Sequence, residues 1–394
     1  MIVEPKVRGF ICTSAHAVGC SVNINRQIDY IKAQPQIDGA KKVLVIGAST
    51  GYGLASRMTT AFAGGAATIG IIFDKPADGR RTASAGWYNT AAFERRAQQE
   101  GLYAKSINGD AFSAEIKQQA INMIKEDLGQ VDLVVYSLAS PRRNTASGTT
   151  YNSVLKTTEG EYTNTTIDLK NNTLAQVTIS QATEEEVLST VKVMGGEDWK
   201  DWISELSKAG VLAPLAVTVA YSYLGPSMTH PIYLNGSIGM AKKHLNDTAD
   251  QISREFNGVT AYISVNKALV TQASAAIPIV PLYISILYKV MKEMDIHEGC
   301  IEQMYRLYHD KLYIAKPELD SQGRLRVDDW EMRTDVQEKI AKIWPEVRDE
   351  NIDRYCDIEG YWEDFYQMFG FRLPSVDYTQ DIDPSVNIPS IAVE

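Results

Sequence analysis

An unbroken apolar run, Val43-Leu-Val-Ile46, is followed at once by Gly47-Ala-Ser-Thr-Gly51-Tyr-Gly53 and then by a stretch in which Leu54, Ala55, Met58, Ala61 and Phe62 share one helical face. A continuously apolar strand is buried on both faces, as strands of a parallel sheet are. A glycine-rich turn from such a strand straight into a helix opens a strand-helix-strand unit. The pattern then repeats: Thr68 to Phe73, Tyr103 to Ile107 and Val131 to Tyr136 predict three more strands. Ile116, Ala120, Met123 and Ile124 predict a helix face before the last of them, with Gly129 as its stop. The predicted fold is therefore α/β, a Rossmann-like doubly wound parallel sheet with helices on both faces.

Beyond Pro141 the composition turns to Thr, Asn, Ser and Gly, with Lys170-Asn171-Asn172 set between two β-branched stretches as a hairpin turn would be. The α/β pattern resumes with helices near Glu184–Val193 and Trp199–Leu206, a strand at Ala216–Tyr221, a helix from about Ser237 and a strand at Thr260–Val265. The expected organisation is one elaborated domain over residues 1–394. It divides into a first half at 41–141, an inserted hairpin at 142–182, a second half at 183–290, and a helical elaboration with an acidic tail at 291–394.

Charge excludes one class of partner. With 39 Lys+Arg against 49 Asp+Glu, the chain lacks the basic footprint that nucleic-acid phosphates require. Ala268 to Tyr288 carries no charge, but Pro278, Pro281 and the polar Thr271, Gln272 and Ser274 argue against an integral membrane segment and for a buried loop and helix. Four cysteines in so long a chain, and an N-terminus interrupted by Glu4, Lys6 and Arg8, lead to the expectation of a cytoplasmic protein. No long exposed apolar helix pattern is seen, so a monomer is expected rather than a homodimer.

Gly47, Gly51 and Gly53 allow the backbone to turn sharply and approach a pyrophosphate, which then meets free N–H groups and the positive end of a helix dipole. Gly47 to Gly53, including Ala48, Ser49, Thr50 and Tyr52, is thus a candidate dinucleotide loop. Asp74 stands 23 residues beyond Gly51, where a carboxylate would hold the adenosine ribose and repel a 2′-phosphate, favouring NADH over NADPH. Lys75, Arg80 and Arg81 just downstream could instead pair with such a phosphate. Asp110-Ala111 and Ser137 to Pro141 fall at the ends of the third and fourth strands, where parallel-sheet ligands bind; they are assigned to adenine and nicotinamide ribose.

A reductase of this architecture needs a proton donor, and short-chain reductases use a Tyr-Lys pair. Here Tyr233 and Lys242 stand in a Y-x8-K spacing, with Ser237 placed to cap the lysine's helix. Nine residues make nearly two and a half turns, so Tyr233 is expected on the loop before the helix, converging with Lys242 from there. Cys12, His16 and Cys20 supply three metal-type ligands and no fourth, so no metal is expected. His230 is expected to be hydrogen-bonded scaffold, and Lys243 solvated.

Gly47-Ala-Ser-Thr-Gly-Tyr-Gly53, Gly86-Trp-Tyr-Asn89, Asn108-Gly-Asp-Ala-Phe112, Tyr136-Ser-Leu-Ala-Ser-Pro141, Lys192 to Trp199, Tyr221-Ser-Tyr223 and the Y-x8-K resemble the V-type bacterial enoyl-acyl-carrier-protein reductases and the related trans-2-enoyl-CoA reductases. Later blocks, Leu269 to Ser274, Ala276 to Tyr283, His297 to Cys300 and Arg326 to Trp330, extend the resemblance over nearly the whole chain. It implies an enlarged short-chain-reductase fold, NADH as cofactor, and reduction of a 2,3-enoyl thioester on acyl carrier protein or coenzyme A. It also implies Tyr233 as proton donor, Lys242 as a cofactor-contacting lysine and Tyr223 as a substrate contact that helps Tyr233. Further cofactor contacts are implied at Phe73, Asp74, Asp110, Ala111, Leu138, Ala139, Leu269, Val270 and Thr271. Many relatives carry Glu where Asp74 stands; the shorter acid keeps the charge and changes the reach to the ribose. A carbonyl reductase would share the loop and the Tyr-Lys pair, and a dinucleotide sensor would share only the pocket.

Overall fold

Alternation along the apolar strands decides what each face of the sheet receives. In the computed structural model, which describes residues 1–8, 11–138, 140–145, 147–169, 171–272, 274 and 277–392, seven strands pair in parallel. They are β1 (Lys42–Ile46), β2 (Ala67–Ile72), β3 (Ala104–Asn108), β4 (Val131–Tyr136), β5 (Leu212–Ser222), β6 (Val259–Val265) and β7 (Arg324–Arg326). Their spatial order is β7-β6-β5-β4-β1-β2-β3, so the chain reverses direction across the sheet between β1 and β4 and opens a crevice there.

Val43 and Val45 point to one face, joined by α1 (Ala17–Lys32), α2 (Gly51–Phe62), α3 (Ala85–Gln99), α8 (Val280–Glu293) and α9 (Cys300–Arg306). Leu44 and Ile46 point to the other, covered by α4 (Ala114–Met123), α6 (Glu197–Lys208) and α7 (Ser237–Glu255). Gly129 ends the turn before β4 at φ +77°, a conformation that favours glycine. α5 (Glu184–Met194) starts in a capping box between Thr183 and Glu186.

The inserted hairpin pairs Tyr162–Asp168 with Thr173–Ile179, antiparallel; Asn172, at φ +52°, lies in its turn, and Lys170 lies outside the described residues. It reaches over the carboxyl edge of the sheet. The Tyr162 hydroxyl donates to Met228 O at 3.2 Å, and Ile279 N donates to Thr166 Oγ1 at 3.3 Å.

The C-terminal region adds a strand to its expected helices and tail. Arg324–Arg326 adds a seventh parallel strand beside β6, too short for its single buried residue, Leu325, to show a period. The uncharged run is a loop and then helix α8, whose residues Val280 to Tyr288 are all buried; among the described residues no helix is long and apolar enough to cross a membrane. The tail is tied down along α3, where Trp87 Nε1 donates to Val386 O (2.6 Å) and the Tyr88 hydroxyl to Pro384 O (2.7 Å).

Candidate active site

Because all seven strands run the same way, the segments that follow them gather at one edge. Gly47 leaves β1 at φ +86°, and a Cβ there would lie 2.2 Å from Ser137 O. A Cβ on Gly53 would lie 1.9 Å from Gly47 O. β1, α2 and the end of β4 thus meet at a distance that only glycine permits. Thr50 is the N-cap of α2 but makes no side-chain capping bond, so the first-turn N–H groups are left for an anion. Ala48 is buried and donates to Ile71 O, Ser49 O accepts from Asn89 Nδ2, and the Tyr52 hydroxyl donates to Lys267 O at 2.7 Å.

Two residues past β2, Asp74 turns its side chain toward the N-terminus of α3. Ser84 Oγ donates to its Oδ1 at 2.7 Å, while Oδ2 is buried with no hydrogen-bond partner among the described residues. Burial pushes this carboxyl up, and the Ser84 hydroxyl draws it back. A buried acceptor with no donor is suited to a ribose hydroxyl. Gly86 keeps α3 close, since a Cβ there would lie 2.4 Å from the carboxylate. Phe73 is 79% exposed beside it and free to cover a ligand. Asp110 Oδ1 accepts from Phe112 N, and Ala111 O accepts from Trp202 Nε1. Leu138 is half-buried after β4, and Ala139 lies outside the described residues. After β6, Leu269 and Val270 are buried and Thr271 half-buried; Val270 N donates to the Tyr288 hydroxyl at 3.1 Å.

Tyr223, just past β5, meets Tyr233 from the following loop edge to face, with ring centroids 4.7 Å apart and planes at 89°. Burial pushes the Tyr233 hydroxyl up to about 12, so it stays protonated at neutral pH. Lys242 is held elsewhere: its Nζ donates to Tyr221 O at 2.9 Å, and burial lowers it to about 8. The main-chain carbonyl of Tyr221 in β5, rather than the phenol, takes the ammonium, and burial alone raises the Tyr233 hydroxyl. Ser237 does not cap its helix. Gly236 is the N-cap, and Ser237 Oγ accepts from Lys156 N at 3.3 Å, linking α7 to the insertion.

The remaining candidates are tied up structurally. His230 Nε2 bonds Gly225 O at 3.1 Å, and Lys243 pairs with Asp247 at the surface. His16 Nδ1 accepts from Gly19 N, the two buried thiols Cys12 and Cys20 are free, and no cluster that could hold a metal occurs among the described residues. Glu331, which no sequence pattern marked, accepts from the Tyr223 hydroxyl at 3.1 Å. Its only sequence signal was its place directly after the Arg326 to Trp330 block.

This strand order, with a glycine turn at the point of reversal and a tyrosine pair beside it, defines a Rossmann-type oxidoreductase. Family models described as "NAD(P)H binding domain of trans-2-enoyl-CoA reductase" and "Trans-2-enoyl-CoA reductase catalytic region" match residues 2–79 and 81–313. The chain belongs to the trans-2-enoyl-CoA reductase family. It is 56% identical to a trans-2-enoyl-CoA reductase [NADH] of Ruminiclostridium cellulolyticum, over 99% of this chain and 100% of that one. It is 55% identical to an enoyl-[acyl-carrier-protein] reductase [NADH] of Cytophaga hutchinsonii, with the same coverage. The crystal structure of a Treponema denticola trans-2-enoyl-CoA reductase in complex with NAD superposes with a TM-score of 0.93 at 45% identity, covering 97% of this chain and 98% of that one.

A third model, described as "Enoyl reductase FAD binding domain", matches residues 319–382. The residues there do not fit a flavin dinucleotide. Val327, Val336, Ile340, Tyr361, Phe365 and Phe371 are committed to the core. Arg324, Arg326, Arg333, Lys339 and Arg372 are each paired with a carboxylate. A hollow of about 320 Å³ beside Trp344 and Arg348 is at the small end even for drug-sized ligands.

Proposed function

We infer that this protein catalyses the NADH-dependent reduction of the carbon-carbon double bond of a trans-2-enoyl thioester to the saturated acyl thioester, the last reductive step of fatty-acid elongation. The observation that carries this is the full-length family match, and the glycine turn, Asp74 and the Tyr223–Tyr233 pair support it. NADH, when bound, supplies the hydride for the β carbon. The chain does the rest. The first-turn N–H groups of α2 hold the pyrophosphate, Asp74 accepts from the adenosine ribose, and the Lys242 ammonium and the Leu269–Thr271 segment hold the nicotinamide end. As charge moves onto the thioester oxygen, Tyr233 hydrogen-bonds it and supplies the proton. The buried face of α8 and the hairpin enclose the acyl chain and exclude water.

The carrier is a phosphopantetheine thioester, on acyl carrier protein or coenzyme A, met in the cytoplasm by a monomeric enzyme. The large apolar side chains left exposed, such as Ile11, Leu188, Leu215 and Ile314, come from separate elements, in keeping with a monomer. The test is the initial rate of NADH oxidation with crotonyl-CoA, a longer enoyl-CoA and an enoyl-acyl carrier protein, and NADPH as control. Turnover is expected with at least one thioester, and the ranking identifies the carrier. Tyr233→Phe should lose at least ~100-fold in kcat with NADH binding intact, as removal of a general acid does. Turnover of ketones or aldehydes alone would overturn the assignment.

A further inference from the structure

Glu331 lies in the turn between β7 and α10 (Thr334–Ile343), with 0% of its surface exposed. A carboxylate so placed costs several kcal/mol unless paired and hydrogen-bonded, and its partners come from four separate parts of the chain. The Tyr223 hydroxyl donates to its Oε1 at 3.1 Å, the Tyr283 hydroxyl of α8 to the same oxygen at 2.7 Å, and Ala268 N to its Oε2 at 2.7 Å. Gln337 of α10 donates to Tyr283 Oη at 3.2 Å and to Glu331 O at 2.7 Å. Burial pushes the Glu331 carboxyl up, while the Lys267 ammonium at the end of β6 and the bonds from Ala268 N and the Tyr283 hydroxyl draw it back and favour the carboxylate; Asp328 is the acidic neighbour.

Two of these donors belong to the reaction site. Tyr223 packs on Tyr233, and Ala268 immediately precedes the Leu269–Thr271 segment assigned to the nicotinamide end of the cofactor. A phenol has one proton. Since Tyr223 gives its own to Glu331, it turns lone pairs toward the pocket, and Tyr233 is left as the one donor of the pair. The help that Tyr223 was expected to give Tyr233 is then that of a ring and an acceptor, not of a second proton donor. Burial and the Glu331 carboxylate hold the Tyr223 hydroxyl protonated well above the ordinary phenol range.

We propose that Glu331 is a positioning residue of this site: one buried carboxylate fixes the Tyr223 ring and proton direction and, through Ala268, the cofactor segment, so that proton donor and hydride donor share one anchor. The proposal rests on the enoyl-thioester reading above. Glu331→Gln tests it. The amide oxygen must face Ala268 N, so its NH2 meets the two phenols and reverses their hydrogen bonds, freeing the Tyr223 proton to compete with Tyr233 for the substrate oxygen.

The measurements are kcat, the thioester KM, the NADH dissociation constant and the melting temperature, for wild type, E331Q, Tyr223→Phe and the double variant. A misdirected donor should lower kcat by ~10-fold or more, with NADH affinity within about threefold of wild type. In the Tyr223→Phe background the same substitution should cost almost nothing, because the proton it misdirects is gone. If E331Q does not fold, Tyr283→Phe, which strips the same oxygen of one donor, should show a smaller loss of kcat with the same dependence on Tyr223. Unchanged kcat, losses that multiply in the double variant, or a fall in melting temperature alone would each overturn the proposal. A wild type inactive on every enoyl thioester overturns the function reading and this proposal together; an active wild type matched by E331Q overturns this proposal alone.

Discussion

Substituting alanine for Gly53 tests whether the contact between β1 and α2 sets the geometry of the cofactor site. The added Cβ would stand 1.9 Å from Gly47 O and 3.1 Å from Ser137 Cβ. Close carbon-oxygen contacts settle at ~3.3 Å, so the first turn of α2 must retreat by about 1.4 Å. The obstructing atom is backbone at the end of a central strand, with no side chain to swing aside. The strain should cost about 1–3 kcal/mol of stability. The retreat also carries the first-turn N–H groups away from the pyrophosphate, and hydrogen bonds to a charged group contribute about 1.5–3 kcal/mol each. Losing one gives a tenfold to hundredfold weaker NADH complex. Gly65→Ala is the control: Gly65 sits at φ +65° at the opposite end of the sheet, with no atom within 4 Å of an added Cβ. It should cost about 1–2 kcal/mol of left-handed strain and leave NADH affinity unchanged. NADH titration by fluorescence and thermal melting, run on both variants, decide the matter. A Gly53→Ala protein that binds NADH within threefold of wild type, or no worse than Gly65→Ala, would refute the reasoning.

Asp74→Asn removes the charge proposed to face the ribose, so NADH affinity should fall roughly tenfold or more while the preference between cofactors moves toward NADPH; unchanged values of kcat/KM for both would remove Asp74 from cofactor selection. Lys242 is lowered to about 8 by burial, so its ammonium is lost as pH rises through that value, and kcat/KM for NADH should fall above about pH 8. The break should vanish in Lys242→Arg; if it persists there, Lys267, which burial also lowers to about 8, is the group observed. For stability the sign is opposite: the unfolded lysine binds its proton up to its ordinary range, so burying Lys242 costs less as pH rises from about 8 toward about 10.5. Ser390→Ala removes a donor to the buried Glu94 (2.7 Å) and the acceptor of Ser106 N (2.8 Å), which should lower unfolding free energy by about 1–3 kcal/mol in a denaturant titration with NADH affinity unchanged.

The strands that carry the cofactor site were legible because each is a run of apolar residues in consecutive positions, and the glycine loop because its conformation and contacts exclude side chains. Boundaries moved little: Ala216–Tyr221 became Leu212–Ser222, and Thr260–Val265 gained Val259. What sequence periodicity missed depends on distant partners. β7 is three residues that exist as a strand only beside β6, and Ser237 was assigned to its own helix when its partners are Val154 O and Lys156 N in the insertion. The Tyr233–Lys242 spacing suggested convergence, and it gave no sign that the strand carbonyl of Tyr221 takes a bond from the lysine. Glu331 was invisible for the same reason: its partners Tyr223, Ala268 and Tyr283 are 108, 63 and 48 residues away.

The strap along α3 has a consequence for how the molecule is made. β3 is the outer strand of its side of the sheet, and an open strand edge is a template for pairing with another chain. One of its amides, Ser106 N, is closed by the Ser390 hydroxyl, made 284 residues later. That same hydroxyl and its amide complete the shell of Glu94, which faces the buried Arg57 across 4.0 Å. A nascent chain emerging from the ribosome therefore presents its cofactor-binding half well before its own seal. The interval between the two is when this enzyme is most exposed to aggregation and most dependent on whatever shields an unfinished sheet in the cell.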